Sequence, residues 1–283
     1  MADIYKEIAE HIDNAAHILI GGGAGLSASC TIDYLSEEDF RKSFPHLAEK
    51  GVENRWAAVW HNFSSPEEYW AFWAQHVLEV HFDAPVGQAY QDLYKLVGNK
   101  DYFIISTNVE DQFIKAGFNP ERVFTPQGNY GMFQCALPCS QKLWSNEPAF
   151  RKMIANMDAD KQAIRTEDIP HCPNCGGPVC INLRIGKNFV EEPWMDKREA
   201  YAKYISNAAS AEGDFLIMEF GVGFNMPSVI RYSFEWYAKT YDNAFLIRFN
   251  RDHPGLPQSI VDKSLPVSGD IKDALAKTLA AKS

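Results

Sequence analysis

The chain has 283 residues, with 46% hydrophobic and 23% charged side chains, ordinary values for a globular protein with room for one large core and a smaller inserted module. Its formal net charge of −10 argues against non-specific nucleic-acid binding, which needs a basic face, and against an anionic membrane surface. The start, Met1-Ala2-Asp3-Ile4-Tyr5-Lys6-Glu7, lacks the basic and apolar regions of a secretion signal, and no stretch approaches the ~20 apolar residues of a membrane span, so the expected compartment is the cytoplasm.

In chain order, Ile4, Ile8, Ile12 and Ala16 recur every four positions and predict a helix over 3–16. A short apolar run at 17–20 then meets Gly21-Gly22-Gly23-Ala24-Gly25-Leu26-Ser27, the order strand, glycine-rich turn, helix start. Glycines placed after a first strand let a backbone approach a pyrophosphate, although this spacing is not a clean G-x-G-x-x-G, and no P-loop is present. Residues 36–81 carry aromatics at helical spacing (Phe40, Phe44, Trp56, Trp60, Trp70, Trp73 among them), predicting two or three helices whose rings pack a core.

Another helix is expected over 87–97 and a buried strand over 102–106, ending at Thr107-Asn108. Residues 123–125 form a third short strand ending at Pro126-Gln127-Gly128. Two further apolar runs, 215–220 followed by Gly221-Val222-Gly223, and 244–250 ending at Asn250, complete five strands. The small-residue tail from 274 onward reads as a last helix. Continuous apolar strands alternating with helices predict a doubly wound, Rossmann-like α/β parallel sheet, whose ligands sit beyond the carboxyl ends of its strands. Domain boundaries follow: a nucleotide-binding domain over 1–128 and 183–283 with a helical insertion at about 36–82, and a cysteine module over 129–182.

The six cysteines are unevenly placed. Cys135-x3-Cys139 and Cys172-x2-Cys175 supply four thiolates in two close pairs, the pattern of a tetrahedral structural zinc site with no open catalytic position. Cys172-Pro173-Asn174-Cys175-Gly176-Gly177 is a zinc-knuckle type turn, and Cys180 reads as a spare thiol.

Taken together, these segments resemble the sirtuin family. Gly23-Ala24-Gly25-Leu26-Ser27-Ala28 followed by Ile32-Asp33-Tyr34 is similar to the signature Gly-Ala-Gly-x-Ser leading to Ile-Pro-Asp-Phe-Arg. Ser106-Thr107-Asn108-Val109-Glu110 resembles the Thr-Gln-Asn-Ile-Asp segment, Gly221-Val222-Gly223 the late Gly-Thr-Ser loop, and Asn250 the asparagine ending the next strand. The resemblance runs in order over residues 17–250.

Three departures stand out. Gln127-Gly128 replaces the family's catalytic His-Gly; an imidazole can take a ribose proton near neutral pH, and an amide cannot. The Phe-Gly-Glu element of the acyl-lysine channel is absent, and Asn182-Leu183-Arg184 stands there instead. The Ile-Pro-Asp-Phe-Arg segment lacks its proline and arginine. With these features the chain resembles the microbial class M sirtuins, a branch associated with macrodomain proteins.

That resemblance implies NAD-dependent protein ADP-ribosylation in place of deacylation, with nicotinamide released. It further implies a lipoylated carrier related to the glycine-cleavage H protein as acceptor, and a macrodomain hydrolase reversing the mark. NAD would be the substrate and Zn2+ structural. Carried over residue by residue, Asp33 would hold the nicotinamide carboxamide, with Tyr34 beside it. Asn108 would position the acceptor or water at the ribose, Gln127 would bind the ribose hydroxyls, and Arg184 would meet the acceptor or reacting sugar. Gly23, Ala24, Gly25 and Ser27 would line the phosphates, Gly221, Gly223 and Asn250 the adenosine, and Ser106 and Glu110 would complete the pocket. Asp33 also reads as a helix N-cap, and Arg184 as a local ion pair. An NAD-dependent lysine deacylase, a non-catalytic NAD or ADP-ribose sensor and an NAD hydrolase are the competing functions.

Overall fold

The computed structural model describes residues 4–30, 32–158 and 162–282. The first residue of the expected N-terminal helix, Asp3, and the last of the C-terminal one, Ser283, lie outside them. In chain order the elements are α1 (Ile4–Asn14), β1 (Ala15–Gly22), α2 (Ala24–Ala28), α3 (Glu37–Ser43), α4 (Pro45–Glu49), α5 (Arg55–Val59), α6 (Pro66–Val77) with a π-helical turn after it, and α7 (Gln88–Val97). Then follow β2 (Tyr102–Ser106), α8 (Gln112–Lys115), β3 (Val123–Phe124), β4 (Gly128–Cys135), β5 (Trp144–Ser145), α9 (Glu147–Asn156) and β6 (Val179–Leu183). Last come α10 (Glu192–Ser210), β7 (Asp214–Phe220), α11 (Arg231–Thr240), β8 (Ala244–Phe249), β9 (Ser264–Val267) and α12 (Ile271–Lys282).

The chain divides into two units, residues 1–31, 86–128 and 194–283 forming the first, and 32–85 with 129–193 the second. The helical insertion thus falls in one unit with the cysteine module, whereas the sequence boundaries kept it inside the nucleotide domain, and the second unit runs to residue 193 rather than 182.

In the first unit, six parallel strands lie in the order β3-β2-β1-β7-β8-β9. The continuous apolar runs are explained by the pleat, which sends alternate side chains to opposite faces. Ile18, Ile20, Leu216, Met218, Ile247 and Phe249 join a core with α1, α7 and α12, while Leu19, Phe215, Ile217 and Leu246 pack with α10 and α11. From β1 the chain builds β2 and β3 on one side and β7 to β9 on the other, so the order reverses at β1, the crevice where such sheets take ligands. The sixth strand, β9, was not expected: Ser264-Leu265-Pro266-Val267 is short and holds a proline, which an edge strand tolerates because one side needs no donor. The long helix α10 was also not foreseen, since its apolar stripe is weak and few of its residues are buried.

In the second unit, α3, α5 and α6 are each opened by a side-chain cap, Ser36 accepting from Asp39 N–H, Asn54 from Ala57 N–H and Ser65 from Glu68 N–H, with Pro66 in the first turn of α6. Phe40, Phe44, Phe72 and Trp73 are buried, with Phe44 and Phe72 centred 5.1 Å apart, so these aromatics do form a core. Trp56 and Trp60 do not; they are 48% and 58% exposed. A three-stranded sheet, β5-β4-β6, carries the cysteine module.

Candidate functional site

At the carboxyl edge of the first unit's sheet, the β1–α2 turn is pinned to the end of β7 by backbone hydrogen bonds, Gly23 N–H to Phe220 O (2.9 Å) and Gly25 N–H to Gly221 O (3.0 Å). The approach is close enough to require glycine. Gly221 has φ +61°, and a Cβ there would stand 2.5 Å from Gly25 C and Leu26 N. On the other side, Gly22 O accepts from Thr107 N–H (3.0 Å) and Ser106 Oγ (3.2 Å), joining the β2 loop to the same turn.

Asn108 follows at that junction. Its Nδ2 donates toward Gly23 O (3.0 Å), Ser27 Oγ (3.1 Å) and the Tyr90 hydroxyl (3.1 Å), while its backbone N–H donates to Ser106 Oγ (3.1 Å). Ser27 Oγ donates to Glu110 Oε1 and lies 2.7 Å from the Tyr90 hydroxyl. Glu110 Oε2 accepts from Val109 N–H (2.9 Å). Burial raises the Glu110 carboxyl above its ordinary value and pushes the Tyr90 phenol well up.

Sequence reasoning placed Ser27 on the phosphates. In the structure it is 2% exposed and its hydroxyl serves these inner partners. Asn250 is likewise turned inward: Nδ2 donates to Val222 O (3.0 Å), and Oδ1 accepts from Asp252 N–H (3.2 Å) and His253 N–H (2.9 Å), so it ties two loops together. Gly25 N–H is occupied by Gly221 O, and α2 is a single turn, so it offers less of a helix dipole than the glycine pattern suggests. Gly223 is exposed.

Gln127 lies half-buried on the turn after β3, held by Gly128 at φ +94° donating to Thr125 O (3.1 Å). The side chain of Gln127 makes no hydrogen bond among the described residues, leaving its amide available to a ligand at the sheet edge.

Under the β7 and β8 loops lies a group of charges that sequence reasoning missed. Arg248, fully buried, donates to Glu219 (2.8 and 2.9 Å), Glu235 (2.8 Å) and Gly255 O (2.7 Å). Arg231 donates to Val222 O (3.3 Å), His253 O (3.0 Å) and Gly255 O (3.3 Å). Two guanidiniums thus hold the loops that carry Gly221–Gly223 and Asn250. The only sequence signal was a charge inside each of two apolar strands, Glu219 and Arg248.

Asp33, Tyr34 and Arg184 belong to the second unit. Asp33 is exposed and its Oδ1 accepts from Leu35 N–H (2.9 Å) in a local turn; it is not the helix N-cap that was its alternative reading, because Ser36 caps α3. Tyr34 packs edge-on against His76, ring centres 5.8 Å apart. Arg184 donates to Glu191 (2.6 Å) and stacks over Phe189 (4.2 Å), the local ion pair that was its alternative reading.

Also in the second unit, the sulfurs of Cys135, Cys139, Cys172 and Cys175 all lie within 4.8 Å of one another. Two of the separations are 3.8 Å (Cys135 to Cys175) and 3.6 Å (Cys139 to Cys172). A tetrahedral zinc ion with bonds of about 2.3 Å sets sulfurs about 3.8 Å apart, so this donor set fits structural zinc. When bound, the ion would cross-link the two cysteine turns, and four thiolates leave it no open position for catalysis. Asn174 Nδ2 donates to Cys139 Sγ (3.2 Å), supporting a thiolate there. Cys180 stands outside the set, and burial raises its thiol.

No family model matches the chain. Among solved structures it is similar to a Sir2 homologue mutant bound to 2'-O-acetyl ADP ribose, with a TM-score of 0.60, 15% identity, and 98% of this chain and 95% of that one covered. It is similar also to a Sir2 homolog–NAD complex, with a TM-score of 0.60, 14% identity, and 99% and 93% covered. These likenesses fix the fold. A protein ADP-ribosyltransferase of Staphylococcus aureus (strain Mu50 / ATCC 700699) is 32% identical over 272 residues, 95% of this chain and 84% of that protein. The chain belongs to the sirtuin-type protein ADP-ribosyltransferases. A probable bifunctional ADP-ribose hydrolase/ADP-ribosyltransferase of Fusarium oxysporum f. sp. cubense is 28% identical over 228 residues, 79% of this chain but 38% of that longer protein.

Proposed function

We propose that this chain transfers ADP-ribose from NAD to a lipoylated carrier protein of the glycine-cleavage H type, in the cytoplasm, and that a macrodomain-type hydrolase removes the mark. The observation that carries the transferase over the deacylase is Gln127. Deacylation needs a base to take a proton from a ribose hydroxyl; the glutamine amide does not titrate and can only hydrogen-bond that hydroxyl. Transfer needs no such step. The bond between ribose C1′ and the nicotinamide nitrogen breaks, its electron pair passes to the ring, and nicotinamide leaves neutral. A lone pair on the acceptor closes the new bond at C1′, and any proton on that atom leaves to solvent. In this reading Gln127 orients the ribose and Asn108 orients the attacking group through Oδ1, while Arg184, in the second unit, contacts the acceptor protein.

Support for the paired hydrolase comes from the Fusarium relative, whose name joins both activities in one protein. Support for a reducing compartment comes from four cysteines gathered as a metal cluster, the use of cysteine expected where disulfides do not persist. Among the described residues, no helix is long and apolar enough to cross a membrane.

The deciding experiment is intact-mass spectrometry after incubation with NAD and, in parallel, a lipoylated carrier protein and an acetyl-lysine peptide. An ADP-ribose mass gain on the carrier with the peptide untouched is expected. Loss of acetyl from the peptide would make Gln127 no obstacle to deacylation and overturn the reading. Fast release of free ADP-ribose would favour an NAD hydrolase, and binding without turnover a sensor.

A further inference from the structure

We propose that Tyr90, on α7, is a positioning residue: its hydroxyl, acting with Ser27 and Glu110, fixes the Asn108 amide with Nδ2 inward and Oδ1 presented to the substrate. This rests on the transfer reading above and deepens it.

The Asn108 Nδ2 group has two protons and faces three acceptors, Gly23 O at 3.0 Å and the Ser27 and Tyr90 oxygens at 3.1 Å each. Ser27 gives its proton to Glu110. The Tyr90 proton then has Ser27 Oγ, 2.7 Å away, as its acceptor. Every link donates in one direction, from Asn108 to Tyr90 to Ser27 to the Glu110 carboxylate. A flipped amide would set Oδ1 against the Gly23 carbonyl and face the Tyr90 oxygen without a proton to offer it. Because Nδ2 and Oδ1 lie on opposite sides of the planar amide, an inward Nδ2 turns Oδ1 away from the network. Oδ1 has no hydrogen-bond partner among the described residues.

Tyr90 is itself held in place. It is fully buried, and its ring packs edge-on against Phe113 with centres 4.9 Å apart. Tyr90→Phe therefore removes the hydroxyl and keeps the packing. It leaves Ser27 Oγ without its phenol donor and Asn108 with one fewer acceptor, so the amide is held less firmly.

The test compares the full-length wild type with Tyr90→Phe in two measurements. One is steady-state nicotinamide release from NAD in the presence of the acceptor. The other is solvent exchange of the Asn108 side-chain amide protons by 15N NMR, with the resonance assigned by its loss in Asn108→Asp. The expected result is a kcat lowered about tenfold, a KM for NAD within about twofold, and faster amide exchange. A wild-type kcat with a protected amide would overturn the proposal, as would a raised KM with kcat retained, which marks a loosened nucleotide loop. If the wild type releases no nicotinamide with any acceptor, the transfer reading falls. The exchange measurement still decides the orientation: faster in Tyr90→Phe supports the chain, unchanged refutes it.

Discussion

Replacing Arg248 by methionine gives the sharpest test of how the nucleotide loops are held. The guanidinium is fully buried and makes four hydrogen bonds of 2.7–2.9 Å to Glu219, Glu235 and Gly255 O. Removing it leaves Glu219, also fully buried, with Arg231 Nη1 at 3.6 Å as its remaining cation. Breaking a buried ion pair from one side costs about 3–5 kcal/mol, because the other charge stays behind unpaired. The residual contact to Arg231 puts Arg248→Met near the lower end, about 3 kcal/mol. For a chain of this size each kcal/mol moves the melting temperature by roughly 2–4 °C, so a fall of roughly 6–12 °C is expected by circular dichroism. Glu219→Leu with Arg248→Met removes the stranded charge and should recover part of that loss. A single-variant shift under about 2 °C, or a double variant less stable than the single, would refute the reasoning.

Glu110→Gln tests the buried carboxyl. Burial raises it in the folded chain, so its stabilising contribution is fully present below the unfolded value and lost as pH rises through the folded one. The glutamine has no such loss. The melting temperature of Glu110→Gln relative to wild type should therefore climb as pH rises above the ordinary carboxylate value of about 4.5; a flat or falling difference contradicts the assignment. Gly221→Ala places a Cβ 2.5 Å from the Gly25–Leu26 backbone at φ +61°, and should weaken NAD binding about tenfold or more by fluorescence titration, against an unchanged Kd if the two loops need not touch. Protein purified without chelator should hold one zinc per chain by elemental analysis, and Cys139→Ser should lose it; metal retained at full occupancy in that variant would exclude the four-thiol site. Asn108→Ala and Gln127→Ala should each abolish transfer with unchanged circular dichroism, and wild-type rates in both would remove these residues from the reaction.

Much of this was legible in the sequence because it depends on neighbours along the chain. Apolar runs bounded by glycine or asparagine gave five strands of the parallel sheet and the loops at their ends, and the close pairs Cys135/Cys139 and Cys172/Cys175 gave the metal cluster. The edge strand β9 and the helix α10 were not legible, since a proline and a weak apolar stripe hide their local pattern.

The direction in which the polar side chains face is set by tertiary contacts. Ser27 is 63 residues from Tyr90, 81 from Asn108 and 83 from Glu110, and a spacing pattern cannot reveal that the four share protons. Asn250 ends a strand as expected, but its partner Val222 lies 28 residues away, so the pattern could not show which loops it ties together. Periodicity fixes which face of an element is apolar. Hydrogen-bond direction depends on the donors and acceptors that distant segments bring within about 3 Å, and that is settled only when the sheet has closed.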